Sequence, residues 1–325
     1  MHSAQWMVDG EWIEDVALGR DIGYQFARVG MTPPEDSPTA VLEGYAEGRY
    51  AIGRSPEKSE RYERKLVRLR LSAYRRKRYL DSAVTPTFLR SIDVEYCPIT
   101  RQRLTVGTDS MTDGTVDRVF NGGGYAVGNL AVMSKRANLA KGGLLPLEIL
   151  EIAKNPQSSH GLSQLEWMRL ACLTAMSAPP GYMEVDLPLL VYPPPSIMLT
   201  NGTTLLQQCA SAIVAGFIPQ RWESELRKVL HGKASKRSFD GLVESLKGQI
   251  ARRVISLKSF EQQTFAVTDS WETDLVSDRF YKFIGQLTTG ERAAAIAIAV
   301  RAQQLRRRSG ESALETWNLE TAGYS

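Results

Sequence analysis

One stretch of the chain, residues 96–150, restricts the fold more than any other, because turn residues alternate there with short apolar runs. The run Gly122-Gly123-Gly124 favours a loop, since consecutive glycines have no side chains to pack and allow positive φ. Ser134 can cap a following helix, and Gly142-Gly143 can end it. The stretch is therefore predicted to contain two strands and a helix, at residues 115–120, 130–133 and 134–141.

Four short motifs follow one another in this stretch, namely Cys97-Pro98-Ile99-Thr100, Thr115-Val116-Asp117-Arg118-Val119, Gly124-Tyr125 with Asn129-Leu130, and Asn138-Leu139-Ala140-Lys141-Gly142. In this order they resemble the HNH, or ββα-metal, endonuclease motif. The resemblance covers about a sixth of the chain. It implies a ββα finger, metal-dependent hydrolysis of DNA, and a phage, mobile-element or phage-defence protein.

The resemblance also assigns roles to single residues. A strand carboxylate and a helix amide, Asp117 and Asn138, would hold one divalent cation. Both are oxygen ligands, which suit Mg²⁺ or Mn²⁺ better than zinc, so no structural zinc is expected. Asn129 matches the asparagine that braces the loop and orients the general base in the family.

The chain departs from the family at the general base, because Arg118 stands where active members have a histidine. Arginine stays protonated in proteins and cannot accept a proton from water. Three interpretations remain. His160 could activate water instead, Arg118 could clamp the phosphate while metal-bound water loses its proton to solvent, or the finger could only bind.

Charge along the chain is uneven although the net charge is only +4. Residues 1–53 hold nine acidic and three basic residues, whereas residues 54–78 hold eleven basic and three acidic residues. A long helix from Ser55 to about Leu80 is predicted to carry this basic block, which can attract polyanions or dock on the acidic segment. The candidate nucleic-acid contacts are Arg75, Arg76, Arg78, Lys135, Arg136 and Lys141.

The rest of the chain predicts a predominantly helical α+β protein in which the finger is inserted between two helical regions. The expected domains are residues 1–90, 91–155 and 156–325. Short strands are predicted at 92–96 and 104–106. Further helices are predicted near 146–152, 163–173, 203–215, 220–230, 239–257, 271–287 and 290–308.

The three cysteines are far apart in the sequence, which is typical of a reducing compartment and argues against a four-thiolate zinc site. The longest strongly apolar run, Ala293 to Val300, is much shorter than a membrane span. We therefore expect a cytoplasmic protein without a signal peptide or a membrane partner.

Three functional hypotheses follow. The first is a DNA endonuclease of the HNH type that uses Mg²⁺ or Mn²⁺. The second is a degenerate finger that binds nucleic acid without chemistry. The third is an assembly protein in which the acidic and basic segments pair, and in which the C-terminal helices could contact a protein partner or a second copy.

Overall fold

The computed structural model of this chain describes residues 7–8, 11–12, 15–53, 59–155, 161–179, 182, 185–194, 196–197, 199, 201–254 and 259–304. By their contacts the residues divide into two compact units. Unit 1 comprises the described residues within 1–93 and 122–130, and unit 2 comprises those within 94–121 and 131–304. Helices dominate the described chain, and the strands form only two-stranded sheets, which confirms a predominantly helical α+β protein.

Unit 1 contains a short antiparallel strand pair followed by four helices. These elements are β1 Met7–Val8, β2 Glu11–Trp12, α1 Val16–Arg28, α2 Thr39–Ile52, α3 Arg61–Arg75 and α4 Pro86–Ser91. Helix α4 begins at Thr85-Pro86, where the Thr85 side chain accepts a hydrogen bond from the Phe88 amide and Pro86 lies in the first turn.

The apolar side of α3 packs into the small core of unit 1. This core contains Ile22, Phe26, Val29, Val41, Val67, Leu71 and Tyr74. Arginines of α3 also pair with acidic residues of the N-terminal segment, since Arg70 lies 2.8 Å from Asp21 and Arg75 lies 2.8 Å from Asp36. Acidic and basic segments thus pair within unit 1.

Helix α3 is shorter than its sequence predicts. It begins at Arg61, where Glu60 and Glu63 form a capping box, and ends at Arg75. Lys77 follows with a φ of +52°, a conformation that cannot continue a right-handed helix. The predicted start at Ser55 lies outside the described residues.

Unit 2 contains β3, most of β4 and nine described helices. Their bounds are β3 Gly114–Arg118, β4 Leu130–Ser134, α5 Lys135–Lys141, α6 Pro146–Lys154, α7 Gln164–Met176, α8 Gly202–Val214, α9 Arg221–Val229, α10 Lys233–Val254, α11 Phe260–Ser270, α12 Asp274–Gln286 and α13 Thr289–Gln304. Strands β3 and β4 form one two-stranded sheet. Helix α5 is capped by Ser134, whose side chain accepts from the Ala137 amide, and ends at Gly142 with a φ of +48°.

The prediction of strands at 92–96 and 104–106 is wrong. Only isolated bridges occur there, between Tyr96 and Arg103 and between Thr105 and Asp113. At the first segment a side chain takes the place of a neighbouring strand, because the Glu261 carboxylate accepts hydrogen bonds from the Glu95 and Tyr96 amides. At the second, the Thr105 backbone bonds locally, to the Thr112 carbonyl and the Gly114 amide.

The residues of the predicted finger share their core with the helices that follow. Cys97, Ile99, Val119 and Met133 are buried in the same apolar cluster as Trp167 of α7. The cluster continues through α8 and α10 to α13. No helix among the described residues is both long and apolar enough to cross a lipid bilayer.

Candidate functional site

The candidate site lies in unit 2, where one face of β3 meets one face of α5. Successive strand residues alternate between faces, so Thr115 and Asp117 project to the same side. Residues three apart on a helix also share a face, which places Asn138 beside Lys141. The strand face and the helix face make two separate polar contacts, and each contact joins one strand residue to one helix residue.

The first contact joins Asp117 to Lys141. The Lys141 ammonium donates to Asp117 Oδ2 at 2.9 Å. The Lys141 side chain is 0% exposed and that of Asp117 is 15% exposed. A charge-assisted hydrogen bond in such an enclosed position is stronger than a surface pair, because little water competes for either group.

Asn121 also accepts a hydrogen bond from the Lys141 ammonium, which lies 2.7 Å from Asn121 Oδ1. The other end of this amide is also held, since Asn121 Nδ2 donates to the carbonyl oxygens of Gly142 at 3.0 Å and Leu144 at 2.8 Å. These two bonds fix the direction of Oδ1. The loop after β3 is thereby tied to the end of α5.

The second contact joins Asn138 to Thr115. Asn138 Nδ2 donates to Thr115 Oγ1 at 3.1 Å, and Thr115 Oγ1 donates to the Met133 carbonyl of β4 at 3.1 Å. Asn138 is half-buried. The structure thus brings Asp117 and Asn138 onto facing surfaces, but each side chain binds its own partner.

This arrangement does not fit the magnesium or manganese site implied by the HNH resemblance. A divalent cation needs several oxygen ligands around one point. Here the oxygens of Asp117 and Asn121 converge on a lysine ammonium, which is a donor and cannot be a ligand. No group of three or more His, Cys, Asp or Glu side chains with metal-binding geometry occurs among the described residues.

Arg118 points away from solvent. The residue is 7% exposed, and its Nη1 atom donates to the Asn121 carbonyl at 2.8 Å. The guanidinium therefore holds the turn that follows β3. The other residue considered for water activation, His160, lies outside the described residues.

Asn129 is fully buried in the segment of residues 122–130, which belongs to unit 1. Its Nδ2 atom donates to the Gly124 carbonyl at 2.9 Å, across the loop that the two residues enclose. The same segment is held by its backbone, because the Tyr125 amide donates to the Tyr79 carbonyl at 2.8 Å. Asn129 thus braces the loop from within.

The candidate phosphate contacts of unit 1 lie at the end of α3. Arg75 pairs with Asp36, and Arg76 is exposed and donates to the Tyr125 hydroxyl at 3.3 Å. Arg78 is half-buried.

The three candidate phosphate contacts of unit 2 have acidic partners. Lys135 lies 2.7 Å from Asp109, and Arg136 pairs with Glu166. Lys141 differs most from the sequence prediction. Its ammonium is enclosed by Asp117 and Asn121 instead of facing solvent.

The spacing of Lys141 from Asn138 indicates where Lys141 lies, although the family motif assigns it a phosphate contact instead. If Asn138 faces the strand carboxylate, the residue three positions later must face it too. Asn121 carried no such signal, because it lies 20 residues before Lys141 in the sequence and meets it only in the folded chain. In the sequence it is the first residue of a glycine loop.

Comparison of the chain with protein-family models, with curated proteins and with solved structures finds no match.

Proposed function

We propose that this chain is a catalytically degenerate HNH-like protein that binds nucleic acid and does not hydrolyse it. The observation that carries the proposal is the position of Arg118. The residue in the place of the general base is an arginine, it is buried, and its guanidinium bonds to a backbone carbonyl. Such a group can neither accept a proton nor contact a phosphate in solvent.

The exposed Arg75 and Arg76 and the half-buried Lys135 support the binding part of the proposal. Surface ion pairs contribute only about 0–1 kcal/mol, so Arg75 and Lys135 can exchange their carboxylate partners for phosphates. The exposed Arg76 lies next to Arg75. Each phosphate contact would release counterions, which makes binding depend on salt and not on base sequence.

A cleavage assay tests the absence of hydrolysis. Supercoiled plasmid incubated with the wild-type protein and Mg²⁺ or Mn²⁺ is expected to stay intact. Arg118→His, which restores the family's base, is also expected to leave it intact, because Asp117 remains bonded to Lys141. Nicking by the wild type that disappears in Asp117→Ala would contradict the proposal.

Binding to a DNA duplex is tested over a series of salt concentrations. Neutralising two contacts in Arg75→Gln/Arg76→Gln is expected to reduce the salt slope by about 2, since each phosphate contact contributes about 1. The matched control Lys228→Gln/Lys282→Gln removes the same charge from unit 2, at lysines outside the candidate set. Binding that is absent, or equally reduced by the control, counts against this interface.

The metal-dependent endonuclease is the second candidate. It is favoured by one observation, namely that Asp117 and Asn138 lie on facing surfaces of β3 and α5. Wild-type nicking in the cleavage assay would support it over the first proposal.

A further inference from the structure

We infer that the Lys141 ammonium takes the place of the divalent cation that the HNH resemblance implies at Asp117. The finger then carries its own cation, attached to α5, and does not depend on metal. The inference concerns what binds Asp117 and not whether the protein binds nucleic acid.

The first support is that the ammonium occupies a position built for a cation. It is fully enclosed and lies 2.9 Å from a carboxylate oxygen and 2.7 Å from an amide oxygen. Carboxylate and amide oxygens are also the ligands that Mg²⁺ and Mn²⁺ prefer. The ligand chemistry around Lys141 therefore matches that of a hard metal ion.

The second support is that this position is rigid. Asn121 cannot turn its oxygen away without losing its bonds to the Gly142 and Leu144 carbonyls. Those carbonyls directly follow Lys141 in the sequence, so one asparagine holds both the ammonium and the backbone beyond it. The Asn121 oxygen is thus held in one direction whatever cation it faces.

The third support is charge balance. Asp117 is mostly buried, and a carboxylate removed from water needs a nearby positive charge. An attached lysine supplies this charge in every folded molecule, whereas a metal supplies it only when bound. Removing the ammonium should leave two directed oxygens without a cation, and a divalent ion could then bind to them.

Thermal melts of the full chain test the inference with MnCl₂ and MgCl₂ as probes, after treatment with EDTA. The wild type is expected to melt at the same temperature with and without metal. Lys141→Met is expected to melt lower, and to rise by about 5 °C when free Mn²⁺ is roughly 100 times its Kd. Adding Asp117→Asn to Lys141→Met should abolish that rise.

The matched control is Lys236→Met, which removes an exposed lysine of α10. Its melting temperature is expected to be close to that of the wild type and to be unchanged by Mn²⁺. If Lys141→Met folds and its melting temperature is also unchanged by Mn²⁺, the inference is overturned.

The wild type decides the question if Lys141→Met does not fold. A wild-type rise with Mn²⁺ that Asp117→Asn abolishes overturns the inference, because metal then reaches Asp117 despite Lys141. An unchanged wild type, or a rise that Asp117→Asn retains, supports it. No melt involves DNA, so this result stands apart from the cleavage and binding assays.

Discussion

A single carboxylate, Glu291, joins the start of α13 to the start of α10. Its Oε1 atom accepts from the His231 and Gly232 amides, and its Oε2 atom accepts from the Thr288 amide at 2.9 Å. Backbone hydrogen bonds to the charged form lower the pKa of Glu291 from 4.5 to about 2. The folded state therefore favours the ionised carboxylate more than the unfolded state does.

This shift predicts a loss of stability in acid. A lowered folded pKa gives a contribution that is fully present above pH 4.5 and is lost as the pH falls toward about 2. We expect urea unfolding of the wild type to show a steeper fall between these pH values than that of Glu291→Gln. Glu244→Gln, which alters an exposed carboxylate of α10, is the control and should follow the wild type. Parallel curves for wild type and Glu291→Gln would contradict the prediction.

Residue-scale prediction from sequence succeeded where partners are close in the chain. The helix predicted near 290–308 begins with a local capping box, since Thr288 Oγ1 accepts from the Glu291 amide at 3.2 Å. The contacts of Glu291 with residues 231 and 232 could not be predicted, because about 60 residues separate them. Lys141 and Asn121 illustrate the same limit at the candidate site.

Helices α1 and α2 depend on glycines that allow their backbones to approach closely. A Cβ atom on Gly44 would lie 2.0 Å from the Arg20 carbonyl oxygen, and one on Gly23 would lie 2.0 Å from the Val41 carbonyl oxygen. Contacts this short require the helices to separate. Residues 1–90 were expected to be helical, but neither helix was located, because the function of these glycines depends on a neighbouring helix, whereas glycine in isolation disfavours helix.

Alanine substitutions should separate packing from helix propensity. We expect Gly44→Ala to destabilise the protein by about 1–3 kcal/mol, the usual cost of overpacking. Gly248→Ala in α10, where an added Cβ meets nothing within 4 Å, should stabilise it by about 0.5–1 kcal/mol. Denaturant unfolding measures both changes. Equal effects of the two substitutions would show that close packing at Gly44 does not matter.

Elements with local end signals were predicted well, and those defined by distant partners were not. Ser134 and Gly142 bound α5, and Ser163 with Glu166 begins α7, as the sequence indicates. Residues 92–96 have strand-like composition, yet the amides of Glu95 and Tyr96 bond to the Glu261 side chain of α11. No pattern within 92–96 could reveal that partner.

At the scale of the whole molecule, one apolar cluster of unit 2 includes residues of the predicted finger and of the C-terminal helices. Beyond the apolar cluster, Arg169 of α7 lies 2.9 Å from Glu272, and Arg101, beside the Cys97 turn, pairs with Asp269. Burial lowers the pKa of Arg101. Cutting the chain after residue 155 removes Asp269, the partner of Arg101, so residues 91–155 should lose both apolar and ionic support.

Two fragments test this dependence. Residues 91–155, the predicted finger with its flanks, are expected to give no cooperative thermal transition by circular dichroism, because the partners of Cys97, Ile99 and Met133 beyond α6 are missing. Residues 91–304 retain every described residue of the shared cluster and are expected to melt cooperatively. A cooperative melt of the shorter fragment would show instead that the finger folds alone, and that its packing against the C-terminal helices contributes little to its stability.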